Sequence, residues 1–531
     1  MAAIVTDQFR INNASNFLGD VNDTSNSYYV FVGLSNPGIS NAFGRAADNA
    51  AWNTSPPNPT DDFRYLNHSK DTMVFGKKIS SDNIRRVIRK VSWTNGNRYE
   101  IYRQDYSATN QSPVTDSSRL YDANYYVINK DFNVYICIQN GSSGINTEGN
   151  RSQNEPTFTG LEPSRASGDT DDGYIWKYLF TVAPSDIIKF DATEFVPLPN
   201  DWSSSNNAQI AAVRDNGNSD VNNNQIKNVY IADQGNGYAG STGQEFNIVG
   251  DGSGGKVVVD VVNTKISKTQ VSVGGKGYTY GMVDLSSISS AALSGGTPAK
   301  LIPVIPPSKG HGYDLYKELG ADRILVYARF DDSTKDFPID SEFAQVSLVK
   351  NPTSFGTTSI YTGSTFSALK GIKLINVNGD PAVGQILSQT VGTGQTAFGY
   401  VCSYDSDVSV VKYIQDRSLY FGNKNDQTDH GNVRNGSRIF DFVSTTSQIS
   451  FTGAGNANNA TSGSGSVETT FSSGITTDTS NNNVALGVSF TSGLASPEIN
   501  KGSGDLLYID NRAKISRNLR QKEDIKIILE F

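Results

Sequence analysis

The sequence predicts a mainly β protein with helices as a minor component, and three observations carry that prediction. Of 531 residues, 50 are Gly, 25 Tyr and 25 Phe, while hydrophobic content is 37% and charged content 18%. Aromatics set among many turn formers describe short strands joined by tight turns. The stretch Asp171–Phe180, DDGYIWKYLF, places Tyr174, Trp176 and Tyr178 on one face of an extended strand and Ile175 and Leu179 on the other. Such alternation marks a strand covered on both sides. The third observation is an internal repeat. IKNVYIADQGNGY at 226–238 recurs as ISKTQVSVGGKGY at 266–278, with Ile, two glycines and Tyr at matching offsets.

A chain of this length suggests about three or four domains. The net charge of −8 and pI near 5.1 argue against nucleic-acid binding, which favours a basic surface. Cys137 and Cys402 lie far apart with no metal or redox spacing, so both are expected as buried free thiols. The opening MAAIVTDQF lacks the charged, apolar and cleavage regions of a secretory signal. No apolar run approaches the roughly 18 residues of a membrane span. A soluble chain is the expectation.

Taken in order, Ala2–Thr6 reads as a short strand, and a helix is expected over Asp7–Leu18, capped by Thr6 and stopped by Gly19. Tyr28–Leu34 reads as a strand ended by Asn36-Pro37-Gly38, and residues 35–72 as loop. Ile84, Val87, Ile88 and Val91 recur at helical spacing, predicting a helix over 82–91 whose Arg85, Arg86, Arg89 and Lys90 form a solvated basic face. Trp93 precedes an Asn95-Gly96 turn and a strand from Arg98 to Arg103. Strands follow at Tyr125–Ile128, Val134–Gln139 and 174–180, the last two separated by a long polar loop that is functional or packed on a neighbour.

Composition shifts after Trp202. Residues 204–303 read as an inserted β module built on the repeat, with an alternating strand from Lys256 to Val262. After a Pro303–Pro307 linker come a helical turn at Tyr313–Leu319 and strands at 323–330 and Phe343–Val349. A second β-rich stretch fills 360–500, where Gly384–Asp405 suggests a small barrel. Residues 452–483 are nearly all Gly, Ser, Thr, Asn and Ala, read as a flexible loop or one that lies on a partner. Leu506–Ile509 and Ile525–Phe531 alternate as closing strands, able to pair with another chain if they lie at a sheet edge.

No motif of chemistry stands out. His68, His311 and His430 have no His or Cys at ligand spacing, and His311 reads as part of a turn. Gly250–Gly255 lacks the order of a phosphate loop, and no G-x-S-x-G elbow occurs. Asp61-Asp62 and Asp331-Asp332 could serve a glycosidase, but adjacent acids are expected by chance among 53. Asp169–Gly173 begins like an EF-hand loop and then falls out of register. The expectation is no catalytic residue, no metal site and no cofactor.

Several segments together resemble a known family. They are AAIVTDQFR at 2–10, RRVIRKVSWTNGNRY at 85–99, DFNVYICIQN at 131–140, DDGYIWKYLFTVAPSD at 171–186 and GDLLYIDNRAKISRNLRQKEDIKIILEF at 504–531. GHGYDLYKELGAD at 310–322 and FAQVSLVKNP at 343–352 join the set. The chain is similar to baseplate wedge proteins of T-even-type contractile-tailed phages (the gene product eight family), in the longer form of cyanophage relatives. The resemblance spans roughly 1–200, 306–355 and 501–531. It implies a discontinuous β-sandwich core with peripheral helices, interrupted by two inserted β-rich modules. The corresponding segments are 1–203, 204–303, 304–359, 360–500 and 501–531. It also implies a non-enzymatic virion scaffold, assembled in the host cytoplasm, that pairs as a homodimer and contacts other wedge subunits.

On that reading Tyr174, Trp176, Tyr178, Phe180 and Trp93 organise the core, while Tyr508, Asn511, Arg512, Arg517 and Phe531 belong to an interface. Inserted modules facing outward could hold tail-fibre attachment proteins. The alternatives are a carbohydrate-binding tail adhesin, with sugars stacking on the repeated Gly-Tyr turns, and a tail-borne glycan hydrolase.

Overall fold

Aromatic strand 174–181 lies where its alternation puts it, between covered faces. A computed structural model describes residues 4–35, 49–168, 171–216, 224–239, 242–289, 296–331, 341–415, 440–453, 462–517 and 521–531. About 41% of the chain is strand and 12% helix, so the fold is mainly β. It divides into two compact units, each assembled from separated segments: Met1–Phe17, Arg85–Leu325 and Ile528–Phe531 form the first, Leu18–Ile84 and Val326–Ile527 the second.

In the first unit, strands Tyr126–Ile128, Asn133–Asn140 and Tyr174–Thr181 form an antiparallel sheet, with Tyr135 opposite Tyr178 and Cys137 opposite Trp176. Tyr174, Trp176, Tyr178 and Phe180 are all buried, and Trp93 packs half-buried against the same cluster. Tyr174 and Trp176 stack with centroids 5.3 Å apart, and Tyr99 meets both edge-on. Such pairs add about 0.5–1.5 kcal/mol beyond their buried area. The polar loop after Asn140 is fastened to this sheet: Ser164 exchanges backbone hydrogen bonds with Trp176, and Tyr135 donates its hydroxyl hydrogen to the Phe158 carbonyl.

The helix expected at 82–91 is instead a short 3-10 turn, Ser81–Asn83, followed by strand Ile84–Arg89, which pairs with Phe195–Pro197. The basic side chains are spent inside the unit. Arg85 pairs with Asp186 at 3.0 Å and Lys90 with Asp191 at 2.8 Å. Arg86 is buried with its guanidinium 4.0 Å from the centre of the Tyr316 ring, and Arg89 bonds Asn124 and two backbone carbonyls. Apolar residues at 84, 87, 88 and 91 fit a helix or a doubly covered strand, and these partners decide for the strand.

The repeat builds a module in this unit. Val229–Asp233 pairs with Lys300–Pro303, and Lys265–Lys276 with Ser253–Val262. The two ladders share one register: Asp233, Ile231, Tyr230 and Val229 face Lys300 to Pro303 as Val273, Val271, Gln270 and Thr269 face Lys256 to Val259, with a bulge at the same step. Gln244–Gly250 and Gly281–Val283 pair with each other. The halves are stitched reciprocally, Ile226 N–H to Gly274 O at 3.0 Å and Ile266 N–H to Gln234 O at 3.1 Å. Both isoleucines and both tyrosines, Tyr238 and Tyr278, point into one apolar core. The repeat therefore extends to 253–259 and 297–303, a match too degraded to see in the residues alone.

In the second unit a five-stranded antiparallel sheet runs in the order Thr365–Ser367, Met73–Ile79, Tyr28–Gly33, Glu342–Lys350, Asp505–Ser516. Tyr29, Phe31 and Val349 cover one face; Leu34, Ala344, Trp52 and Tyr65 meet on another patch. Residues 35–72 hold two helices, Asn49–Thr54 and Phe63–Asp71, where loop is expected. Asp62 caps the second by accepting the Tyr65 N–H at 2.8 Å.

A closed six-stranded barrel occupies the same unit. Its order is Lys370–Asn378, Val410–Ile414, Gln395–Asp405, Ile386–Gly392, Gln448–Thr452 and Gly463–Val467, returning to the first strand. Strand 370–378 closes it by dividing its length: Lys370–Lys373 pair with 410–413, while Leu374 onward pairs with 464–467. Thus part of polar stretch 452–483 is barrel wall, and strands Ile475–Thr477 and Asn483–Ala485 form a hairpin. Small residues there let the wall approach Phe451; a Cβ on Gly463 would fall 2.1 Å from its ring.

Ile4–Thr6 is not strand, and the first helix, Asp7–Asn22, runs through Gly19. No strand is assigned over 98–103, although Tyr99 to Arg103 are buried.

Candidate interface groove

Strands Asp505–Ser516 and Glu523–Glu530 are each the last strand of their sheets. Between them, within the second unit, lies a groove of about 450 Å³. Phe343, Val346, Ile515 and Ile527 give it an apolar floor, and Tyr508 a half-buried wall. Asp510 and Arg512 line one rim, paired at 2.6 Å. On the other rim, Glu523 to Ile527 line it consecutively, as expected when the backbone edge of a strand faces a groove.

The two edges differ in how they are finished. Around Arg512 the edge of 505–516 is capped by helix Asn49–Thr54: Trp52 Nε1 donates to Arg512 O at 2.8 Å, and Asn53 Oδ1 accepts the Lys514 N–H at 2.9 Å. Strand 523–530 has no further strand outside it among the described residues. Asp524 is held below the usual carboxylate range, first by the Arg329 guanidinium and then by the Tyr327 hydroxyl, at 2.6 and 2.8 Å.

The five residues anticipated for an interface take different places. Tyr508 and Arg512 line the groove. Asn511 is buried, accepting from Gln345 at 2.8 Å and donating to the Pro57 carbonyl and the Tyr65 hydroxyl. Arg517, with a fully buried side chain, forms an ion pair with Glu523 at 2.9 Å. Phe531 belongs to the first unit, its ring 5.6 Å from Phe17 and its carbonyl accepting from Arg10.

Three of the residues considered for chemistry make structural contacts. Asp62 caps a helix, and Asp172 accepts the backbone N–H groups of Gln153 and Tyr174 at 2.8 and 3.0 Å. His311 lies in a turn, as expected, and is buried in the first unit with Nδ1 2.6 Å from Glu318 Oε1. The second Glu318 oxygen accepts the Gly312 N–H, and Tyr102 lies edge-on to the imidazole. No local pattern announces that pair seven residues apart. His430, Asp332, Asp169, Thr170 and Arg520 lie outside the described residues. Among the described residues, no three His, Cys, Asp or Glu side chains gather as a metal site, and no helix is long and apolar enough to cross a membrane. Cys137 and Cys402 are buried free thiols, and burial pushes Cys402 up to about 11.

In the first unit a polar cleft of about 290 Å³ is lined by Gln139, Asn150, Arg165, Asp171, Lys268 and Gln270, among others. Compared with known proteins, the chain matches no family model and no curated protein.

Proposed function

We propose that this chain is a structural component of a contractile-tail baseplate wedge, working through protein–protein interfaces during assembly and host-triggered rearrangement. The observation that carries the reading is the C-terminal stretch 504–531. It is among the segments most specific to the wedge resemblance, and it supplies both outer strands bordering the groove. An outer strand offers unpaired N–H and C=O groups to another chain, which suits a scaffold whose work is contact. Its partners on this reading are other wedge subunits, a second copy of the chain and tail-fibre attachment proteins, in the virion baseplate.

Cross-linking mass spectrometry on purified intact virions tests this. Links from 501–531 to other baseplate subunits and to a second copy are expected. Absence of the chain from the particle, or links only to itself at fibre tips, would overturn the reading.

A carbohydrate-binding adhesin is the second reading, and the polar cleft favours it. The Gly-Tyr turns do not, because Tyr238 and Tyr278 are buried and their rings cannot stack on a sugar. A glycan array probed with the full chain distinguishes the two: binding lost on Lys268→Ala and Gln270→Ala would favour the adhesin, and a blank array would remove it.

A further inference from the structure

We infer that the polar cleft of the first unit binds an acidic sugar, a one- or two-ring polyhydroxylated molecule whose single carboxylate meets Lys268. The inference stands apart from the wedge reading. It rests on the carbohydrate-binding reading and gives that cleft a ligand of stated charge and size.

The repeat points to the site. Its copies lie at a constant offset, so Asn228 and Tyr230 of the first correspond to Lys268 and Gln270 of the second. In the first copy both positions are seated on the core of the unit. Asn228 is buried and donates from Nδ2 to Ile138 O at 2.9 Å. Tyr230 is buried with the Arg103 guanidinium 3.9 Å from its ring centre. In the second copy the same positions carry a cation and an amide, both exposed and both lining the cleft beside Gln139, the neighbour of Ile138. What one copy spends on packing, the other holds open to a ligand.

The lining chooses the ligand. Among the described residues, the side chains of Lys268, Gln270, Gln139, Ser142 and Ser143 make no hydrogen bond within the chain. Their two amides and two hydroxyls both donate and accept, as a sugar hydroxyl does. Half-buried Ile175 supplies apolar surface for the C–H face of a ring. No aromatic side chain among the described residues lines the cleft to stack on a nucleobase. At about 290 Å³ the cleft falls just under the roughly 300–1,000 Å³ of drug-sized sites, which limits the ligand to one or two rings.

Charge decides the rest. Among the described residues the ionisable groups of the lining are Arg165, Lys268 and Asp171, two cations against one carboxylate. Arg165 pairs with Asp171, which also accepts the Gly173 N–H at 3.1 Å. Lys268 is left as the unmatched cation, and a single anion on the ligand balances it. A hydrogen bond with an ionised partner is roughly twice as strong as a neutral one, so the carboxylate separates acidic from neutral sugars.

The test titrates the full chain, followed by saturation-transfer NMR. Glucuronate, galacturonate and N-acetylneuraminate are set against glucose, galactose and N-acetylglucosamine, with acetate as the bare carboxylate. At least one acid should bind about tenfold more tightly than its neutral counterpart and than acetate. Lys268→Gln should weaken that acid about tenfold and leave the neutral sugars unchanged, while Gln270→Ala weakens both kinds. Lys268 and Gln270 are exposed, so these variants keep the fold, which circular dichroism verifies. Lys265→Gln, exposed on the same strand and outside the lining, should change nothing.

No binding by any of the three acids would overturn the inference. Acetate binding as tightly as the acids would reduce the cleft to an anion site and overturn it too. Equal losses from Lys265→Gln and Lys268→Gln would show attraction to surface charge in place of a site. Neutral sugars bound as tightly as acidic ones, and lost on Gln270→Ala, would sink the acidic ligand and leave the carbohydrate-binding reading standing.

Discussion

The two β modules, 226–304 in the first unit and 370–467 in the second, enclose similar apolar cores by different means. The first is closed by repetition. Gly235 and Gly275 occupy equivalent turns, with φ of +60° and +61°, and the same neighbours crowd them. A Cβ on Gly235 would lie 2.5 Å from Ala299 N and 2.6 Å from Thr297 O; on Gly275, 2.5 Å from Gly255 N and 2.6 Å from Ser253 O. The second module repeats nothing. Its seam strand 370–378 serves two barrel neighbours and also pairs with Leu494 and Ala495, and the buried Gln389 amide ties strand 386–392 to the segment before 448–452: it donates to Val443 O at 3.1 Å and accepts Val443 N–H at 2.9 Å. Repetition writes each constraint twice, and so makes it visible. A unique closure spends its specificity on single residues that look like any other glutamine.

The sharpest way to break the equivalence is at the turns. Gly235→Val and Gly275→Val should each destabilise by about 3 kcal/mol or more, through left-handed backbone and direct collision with main chain. Urea unfolding of each variant reads the loss; a large effect at one site and none at the other would break the two-fold description. Next, Gln389→Leu should cost about 1–3 kcal/mol by stranding both backbone groups of Val443. No counterpart occurs among the described residues of the first module, so hydrogen exchange should report loosening confined to the second.

Smaller effects sharpen the halves against each other. The Tyr278 hydroxyl donates to Ile248 O and accepts Gly255 N–H, both at 2.9 Å, whereas among the described residues the Tyr238 hydroxyl accepts Ala299 N–H alone, at 2.6 Å. Tyr278→Phe should therefore lower stability by about 1–3 kcal/mol, and Tyr238→Phe by about half as much. Asp251 lies at the second-half turn, where the Thr279 hydroxyl, then the N–H groups of Thr279 and Tyr280, pull its carboxyl down to about 2 from 3.8. A depressed carboxyl stabilises the fold above its unfolded value, and that contribution fades as pH falls from 3.8 through 2. Asp251→Asn should flatten that part of the acid-unfolding curve; an unchanged curve would show the turn makes no such contribution.

What could be read from the residues follows the same division. The aromatic strand announces itself because three large rings at alternate positions leave one arrangement that buries them all. The repeat at 226–278 and the small barrel around 384–405 were legible for related reasons, as periodicity and turn chemistry act locally. Residues 84–91 misled because Arg86, which reads as exposed, is buried under Tyr316, a partner 230 positions away. Asn511 and Arg517 carry no local sign of burial either: their partners Gln345, Pro57, Tyr65 and Glu523 arrive by folding. The groove itself needs Phe343 and Val346 beside 523–527, a juxtaposition no window of sequence contains.

The reciprocal stitch of Ile226 to Gly274 and Ile266 to Gln234 bears on the order of events during synthesis. Each half lends the other a carbonyl from a turn made some forty residues away, so neither sheet edge is satisfied while one copy is still unmade. The first copy must wait on the ribosome with Ile226, Val229 and Tyr238 in water. Closure comes only after residue 303 has emerged, when the last strand, Lys300–Pro303, can join. A translational pause before that point would hold half a core open, and the cell's holdase chaperones would find it there.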